Sequence, residues 1–264
     1  MGNFVLDDWL GQIHTGDCVE GMSELPEQTI DLVIADPPYN LDKDFGLWKE
    51  TEHRADWLPW TSRWLKACIR VMSPGASIFV YGIHHHLCWI QCLMYELGLT
   101  YQRQIIWTYE NGFAGYTKTL AAHYEPILWF SKGPVKTFHP IREPYKSIER
   151  LKYPVTKNGK VWTPHPEGRL AGDVWRFPVL AGRRFQDERV DHPTQKPLSL
   201  TNRIVKHFSD EGEVILVPFA GSGTECIAAR SQGRQFIGYE LNPAYVKLAN
   251  RRLKSVAKEV SLIE

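Results

Sequence analysis

The 264-residue sequence predicts an α/β fold in which helices cover both faces of a mostly parallel, Rossmann-like sheet. Two observations predict this fold. Short apolar runs rich in β-branched residues alternate with segments whose apolar residues recur at helical spacing. A glycine-containing loop, Gly221-Ser222-Gly223, joins one apolar run to a helical segment. The length allows one large domain with a small insert.

In the first half of the chain, each predicted strand ends at a turn signal or leads into a helical segment. The predicted strands cover residues 29–35, 76–81, 104–109 and 126–130, and the predicted helices cover residues 57–72 and 85–97. Residues 12–14 also resemble a strand. The run at 29–35 stops at Pro37-Pro38, which cannot continue a β-ladder. Residues 36–40 are therefore expected just beyond a strand's carboxyl end, where open α/β sheets bind ligands.

The regular pattern returns in the last quarter of the chain. Helices are predicted at residues 200–208, 224–232 and 243–260, and strands at 213–217 and 235–239. The basic residues of the last helix are expected to face solvent.

The segment between these halves differs in composition. Residues 134–190 carry 12 Lys+Arg and 6 Asp+Glu, a net of +6, within a chain whose net charge is +1. The segment is rich in proline and glycine and shows weak periodicity, so we expect an insert outside the regular sheet. A local excess of basic residues favours contact with a polyanion, although a solvated loop with spare lysines is the alternative.

Several classes of protein are disfavoured. No apolar run approaches the ~20 residues that span a bilayer, and residues 1–4 lack the pattern of a signal peptide, so a cytoplasmic protein without a membrane partner is expected. The five cysteines are scattered, which argues against a disulfide framework. Cys88 and Cys92 follow His84-His85-His86 and could suggest a metal site. Their spacing fits a buried helix better, and no metal is expected.

The glycine loop carries the signal for a cofactor. Gly221 and Gly223 permit a tight turn and a close approach to a ligand, and Glu240 lies 19 residues after Gly221, where a carboxylate can accept hydrogen bonds from ribose hydroxyls. A dinucleotide site requires a third glycine, and the corresponding position is Cys226. A nicotinamide-dependent oxidoreductase is therefore disfavoured. S-adenosylmethionine has a ribose and no pyrophosphate, so a binding site for it explains the loop better than the alternative, a tight turn that binds no ligand.

The segment Asp36-Pro37-Pro38-Tyr39 carries the signal for catalysis. An exocyclic amine of a nucleobase is a poor nucleophile, because its lone pair is delocalised into the ring. The carboxylate of Asp36 and the carbonyl of Pro37 could accept its two N–H bonds, and Pro38 stiffens the backbone. Tyr39 offers a flat face on which an extruded base can stack. The alternative is a proline turn that follows a strand.

At these residues the sequence resembles the DNA amino-methyltransferases. The catalytic segment comes first and the loop Phe219-Ala220-Gly221-Ser222-Gly223-Thr224 comes last, an order similar to the circularly permuted β group of that family. The segment His192-Pro193-Thr194-Gln195-Lys196-Pro197 matches the family element that precedes the loop. The resemblance covers about residues 12–133 and 190–255.

The resemblance implies the S-adenosylmethionine-dependent methyltransferase fold and further site residues. Asp17 would reach the adenine of the cofactor, Thr194 and Lys196 would hold its methionine end, and residues 105–107 and 123–129 would line the base pocket. Residues 1–133 would form a catalytic half, residues 134–190 a target-recognition insert, and residues 191–264 a cofactor-binding half. One departure is Val217, where the family usually has Asp, and this change is expected to weaken cofactor affinity.

The implied activity is methylation of the N6 amino group of adenine in a base flipped out of double-stranded DNA. Methylation of cytosine N4 is the alternative within the family, and a catalytically weak DNA-binding module is the alternative suggested by Val217. The resemblance also allows a homodimer, a cognate restriction endonuclease as partner, and a bacterial or phage-type setting at the nucleoid.

Overall fold

A computed structural model describes residues 6–39, 54–111 and 120–260 of the chain, and the side chains of residues 6–39, 56–111 and 120–255. Asn40, the last residue of the segment expected beyond the first predicted strand, lies outside these ranges.

The described residues form an eight-stranded sheet, two small two-stranded antiparallel sheets and six α-helices. The strands are Gln12–Thr15 (β1), Ile30–Ala35 (β2), Met72–Tyr81 (β3), Thr100–Thr108 (β4), Tyr124–Ser131 (β5), Arg142–Glu143 (β6), Val155–Lys157 (β7), Lys160–Trp162 (β8), Arg169–Leu170 (β9), Val174–Arg176 (β10), Val214–Val217 (β11) and Gln235–Glu240 (β12). The helices are Cys18–Glu24 (α1), Arg54–Val71 (α2), Leu87–Glu96 (α3), Leu198–Phe208 (α4), Thr224–Ser231 (α5) and Pro243–Val260 (α6).

The large sheet has the order β1-β12-β11-β2-β3-β5-β4-β10. Its neighbours pair in parallel except at β5, which is antiparallel to both β3 and β4. The carboxyl ends of β1, β12, β11 and β2 therefore meet at one edge. This mostly parallel arrangement confirms the fold class expected from the alternation of strands and helices.

Helices cover both faces of the sheet, each over its own hydrophobic core. Side chains of α1, α2 and α3 pack on one face, where Met22, Trp64 and Met94 are buried. Side chains of α4, α5 and α6 pack on the other, where Ile204, Ile227 and Leu253 are buried. From Leu32 to Ala35, successive residues of β2 alternate between the two cores, as a strand covered on both sides requires.

The expectation that residues 134–190 lie outside the regular sheet is wrong for β10. This strand pairs in parallel with β4 at the sheet edge, and the flanking bonds from Ile106 N to Asp173 O (2.7 Å) and from Phe177 N to Thr108 O (3.1 Å) extend the ladder. Trp175 is buried in the core. A three-residue strand is too short to show a periodicity, so no sequence pattern indicated it.

Two other expectations change in detail. β3 begins at Met72, so Ser73-Pro74-Gly75 lies inside an irregular strand start instead of separating α2 from the strand. The helix predicted at residues 85–97 is present as α3, but Cys88 and Cys92 lie on its exposed side, while Leu87, Ile90 and Met94 are buried. Among the described residues, no helix combines the length and apolar character needed to cross a membrane.

Candidate active site

The candidate site is a cleft at the carboxyl ends of β1, β12, β11 and β2, with a volume of about 1080 Å³ including its open mouth. It gathers residues that are far apart in the sequence. Twelve of the fourteen predicted site residues line it: Asp17, Asp36, Pro37, Pro38, Tyr39, Thr194, Lys196, Phe219, Ala220, Gly221, Ser222 and Glu240. Gly223 and Thr224 lie just behind this lining, at the start of α5.

Asp36 follows β2 and is held by two donors. The hydroxyl of Tyr39 donates to Asp36 Oδ1 at 2.6 Å, and the ammonium of Lys196 donates to Asp36 Oδ2 at 2.7 Å. The side chains of Asp36 and Lys196 are 14% and 4% exposed. Each carboxylate oxygen thus has a fixed partner, which sets the orientation of the group.

The backbone after Asp36 is also fixed. Trp57 Nε1 donates to the carbonyl of Pro38 at 3.2 Å, and His86 Nδ1 lies 2.7 Å from the carbonyl of Tyr39. No donor among the described residues reaches the carbonyl of Pro37. An acceptor held rigidly and left open beside a carboxylate is suited to a ligand that carries an N–H group.

Lys196 is a buried cation in contact with the catalytic segment. Burial opposes its charge, but the carboxylates of Asp36 and Glu125 outweigh that effect and raise the pKa of Lys196. Its ammonium also lies 5.1 Å from the centre of the Tyr39 ring. The ammonium of Lys196 is paired with Asp36, and its place at the methionine end of a cofactor stays a prediction of the resemblance.

The glycine loop approaches the cleft with its backbone. Gly221 has a φ of +47°, and a Cβ there would lie 2.8 Å from His192 Nε2. Gly223 has a φ of +79°, and a Cβ there would lie 2.7 Å from Cβ of Ala249 in α6. Both positions therefore require glycine, for conformation and for space.

Two carboxylates mark the part of the cleft next to β1 and β12. Glu240 ends β12 and accepts hydrogen bonds from Gly221 N (2.9 Å) and Asn242 N (2.8 Å). Burial raises the pKa of Glu240, and those backbone donors oppose the rise. Asp17 caps α1 by accepting from Val19 N at 2.7 Å. Glu240 thus braces the glycine loop and still lines the cleft.

The base-pocket residues implied by the resemblance do not line this cleft. Ile105, Trp107 and Ile127 are buried in the core on the face of the sheet that α4, α5 and α6 cover. Glu125 acts on the cleft by its charge, since it contributes to the raised pKa values of Lys196 and Tyr39.

Sequence reasoning gave no role in the site to three residues that lie in the cleft or contact the glycine loop. Glu225 lines the cleft from α5. His192 packs edge-on against Tyr245, with ring centres 4.6 Å apart, and its burial lowers the pKa to about 4. Arg252 was assigned to a solvated face of α6, but its guanidinium donates to the carbonyl of Ser222 at 2.6 Å and to Thr224 Oγ1 at 3.1 Å. Helical spacing from Ala249 and Leu253 could have indicated that Arg252 borders the packed face.

The residues of the cleft fit a cofactor built from an adenosine and a charged tail. Glu240 at the end of β12 suits a ribose, and Gly221 lets the backbone approach it. The loop lacks a third glycine and a P-loop lysine, so nothing in it suits a pyrophosphate. Among the described residues, no group of three or more His, Cys, Asp or Glu side chains is placed to hold a metal ion.

The family model and the relatives that match this chain are all DNA methylases or methyltransferases. Residues 30–251 match a family model, N6_N4_Mtase, described as DNA methylase. The DNA adenine methyltransferase YhdJ of Escherichia coli (strain K12) is 34% identical over 249 residues, covering 91% of this chain and 81% of that protein. The type II methyltransferase M1.MboII of Moraxella bovis is 31% identical over 253 residues, covering 91% and 95%.

A solved structure extends the likeness to the fold. The putative DNA modification methylase TTHA0409 of Thermus thermophilus, complexed with S-adenosyl-L-methionine, superimposes with a TM-score of 0.61 at 25% identity. The match covers 93% of each chain.

Proposed function

The chain belongs to the DNA methylase family, whose model spans residues 30–251, and on this premise we propose that it methylates the N6 amino group of adenine in double-stranded DNA with S-adenosylmethionine. The observation that supports this most directly is the juxtaposition of Asp36 and the open carbonyl of Pro37 with the Gly221–Glu240 unit in one cleft. Two hydrogen-bond acceptors for an amine and a site suited to a ribose thus lie in the same cleft.

The cofactor would lie along the carboxyl ends of β12, β11 and β2. Asp17 and Glu240 would hold its adenosine, and Phe219, Ala220, Gly221 and Ser222 would form the floor under it. Its methionine part would extend toward Thr194 and the Asp36–Lys196 ion pair, in which the ammonium of Lys196 stays bonded to Asp36. When bound, S-adenosylmethionine supplies the electrophilic methyl group on its sulfonium.

The protein's part in the reaction is positioning and electrostatics. One N–H of the target amine would donate to Asp36 and the other to the carbonyl of Pro37, which pulls the nitrogen toward a tetrahedral geometry. Lys196 and Tyr39 keep the carboxylate of Asp36 oriented. The extruded base would stack on the ring of Tyr39, beside the backbone stiffened by Pro38.

The basic segment at residues 134–190 is proposed as the DNA-contacting part. Its β7–β8 hairpin turns at Asn158-Gly159 and carries Lys157 and Lys160 at the tip, with Trp162 62% exposed. A two-stranded ribbon of this kind fits the major groove of DNA. A homodimer, a cognate restriction endonuclease and a location at the bacterial nucleoid stay predictions of the resemblance.

The test is identification of the methylated base. DNA incubated with the protein and S-adenosylmethionine is digested to nucleosides, which are separated by chromatography and identified by mass. N6-methyl-2′-deoxyadenosine is expected, and the Asp36→Ala variant should form none while still binding the cofactor. A product that is mainly N4-methyl-2′-deoxycytidine would establish the alternative specificity, which the family model also covers. Unchanged turnover by Asp36→Ala would reject the proposed mechanism.

A catalytically weak binding module is the second candidate, based on Val217. Its aliphatic side chain is fully buried in β11. Position 217 therefore gives the cleft neither a charge nor a hydrogen-bonding side chain. Calorimetry with S-adenosylmethionine separates the two candidates, because a protein that binds DNA but not the cofactor would be such a module.

A further inference from the structure

Glu225 is a buried carboxylate that the proposed mechanism does not use. It is the second residue of α5, only 4% exposed, and it lines the cleft. Its Oε1 atom accepts no hydrogen bond from any of the described residues. Leaving a buried carboxylate oxygen without a donor is costly, so such an atom in a ligand cleft indicates a missing cationic or donor partner.

The two neighbouring cations, Lys196 and Arg252, do not donate a hydrogen bond to Glu225 Oε1. Lys196 and Arg252 are near enough to influence Glu225 by charge, but their hydrogen bonds go elsewhere. The ammonium of Lys196 bonds to Asp36 Oδ2 at 2.7 Å and to the carbonyl of Thr194 at 3.4 Å. Arg252 bonds to Ser222 and Thr224. The charges that would stabilise Glu225 are thus already engaged.

The position of Glu225 indicates which part of a ligand it faces. Among the charged side chains, Asp36 contributes most to the raised pKa of Glu225, and both line the cleft. Asp36 follows β2, whereas Glu240 ends β12, two strands away in the order β12-β11-β2. With a strand spacing of about 4.8 Å, the ends of β12 and β2 are roughly 10 Å apart. A cofactor whose ribose is at Glu240 would therefore carry its amino-acid tail toward Glu225.

We propose that Glu225 binds the α-ammonium group of the cofactor's methionine moiety. This inference rests on the proposed function. The ammonium offers three N–H donors and a positive charge, which match an unpartnered carboxylate. It adds a residue of α5 to those proposed to bind the cofactor and gives this buried carboxylate a function.

The same assignment explains how cofactor affinity can be kept although position 217 is Val and not Asp. Val217 belongs to the core on the α5 face of the sheet, and Glu225 lies at the start of that helix. The acid that the resemblance leads one to expect at 217 is absent, and Glu225 places a carboxylate in the cleft from the same side. The loss of affinity expected from Val217 is then offset by Glu225.

The test compares two ligands by calorimetry: S-adenosylhomocysteine and its deaminated analogue, which has hydrogen in place of the α-amino group. The wild type should bind the deaminated analogue roughly tenfold to a hundredfold more weakly, as expected for a charge-assisted hydrogen bond. The Glu225→Gln variant keeps the size of the side chain. It should lose the same factor for S-adenosylhomocysteine and show no further loss with the analogue.

The matched control is Glu211→Gln, which removes an exposed carboxylate away from the cleft and should change neither affinity. Equal binding of both ligands by the wild type would overturn the assignment, and this arm does not depend on the folding of a variant. A Glu225→Gln variant that weakens both ligands equally would also overturn it. Absence of any S-adenosylhomocysteine binding by the wild type would instead reject the proposed function, and the inference with it.

Discussion

At the scale of single residues, the main feature is that Lys196 is paired with the carboxylate of Asp36. Breaking a buried ion pair by removing one partner leaves an uncompensated charge, which costs several kcal/mol. A residue that contacts Asp36 in this way affects the reaction by positioning the acceptor. A residue that binds the tail of the cofactor would affect cofactor affinity instead, so the two roles can be separated experimentally.

We expect Lys196→Met to lower kcat by about a hundredfold, because Asp36 loses its charged partner and its orientation. The dissociation constant of S-adenosylhomocysteine, measured by calorimetry, should change by less than about threefold. If affinity fell as strongly as kcat, Lys196 would be a ligand of the cofactor's carboxylate, as the sequence resemblance implied. An intact melting transition is the control for folding.

Glu225 also predicts a pH dependence of cofactor affinity. Burial, followed by repulsion from Asp36, raises the pKa of Glu225 to about 7, and only the charged carboxylate attracts an ammonium. Among its charged or titratable neighbours, Lys196 stays protonated because its pKa is raised, Tyr81 stays neutral because burial raises its pKa, and Arg252 keeps its charge. His192, with a pKa of about 4, is neutral in this range.

The affinity for S-adenosylhomocysteine should therefore increase with pH up to about 7 and level off above it, by up to about tenfold per unit on the acidic side. The sign follows from the raised pKa, since below it the protonated carboxyl must first lose its proton. Calorimetry between about pH 6 and 8 measures this profile. A Glu225→Gln variant with the same slope as the wild type would contradict it.

At the scale of elements, the glycine loop is constrained by its contact with α6. We expect Gly223→Ala to lower the free energy of unfolding by about 1–3 kcal/mol, since the new methyl would meet Cβ of Ala249 and φ is positive. Thermal and denaturant unfolding measure the loss. Gly172→Ala is the matched control, because it meets nothing within 4 Å and its φ lies outside the left-handed range.

The β7–β8 hairpin predicts a second effect at this scale. Replacing Lys157 and Lys160 by Ala should weaken DNA binding and reduce the slope of log K against log salt by about 2, because two phosphate contacts are lost. Cofactor affinity should stay unchanged. The exposed pair Lys247 and Lys254 on α6 provides a matched control. If replacing that pair by Ala weakened DNA binding equally, the hairpin would not be the preferred DNA contact.

At the scale of the whole molecule, the fold was predictable because its regular elements carry periodic signals. The run before Asp36 and the Gly221–Gly223 loop are local in sequence, so their places at strand ends could be predicted. The pairing of Lys196 with Asp36 spans 160 residues and depends on tertiary packing, which no local pattern encodes. Glu225 was missed for a related reason, since a charged residue in the first turn of a helix ordinarily faces solvent.

The same distinction explains the errors. Cys88 and Cys92 belong to a correctly predicted helix, but its apolar character extends to both sides and did not indicate which side is buried. β10 is too short for a period of two to be recognised, although Trp175 within it is 3% exposed. Single residues inside correctly predicted elements were thus harder to place than the elements themselves.

β10 has a consequence for how such proteins can diversify. Because it is hydrogen-bonded to β4, the basic segment is not an appendage that can be exchanged at any pair of cut points. A graft that replaces the basic segment must preserve the ladder at residues 173–177. It must also preserve the side-chain bond in which Trp107 Nε1 donates to the carbonyl of Phe177 (2.7 Å). On the proposed role of this segment in DNA contact, related proteins that recognise different DNA sequences should differ mainly between residues 144 and 168, which contribute no strand to the large sheet. The junction at β10 should keep its length.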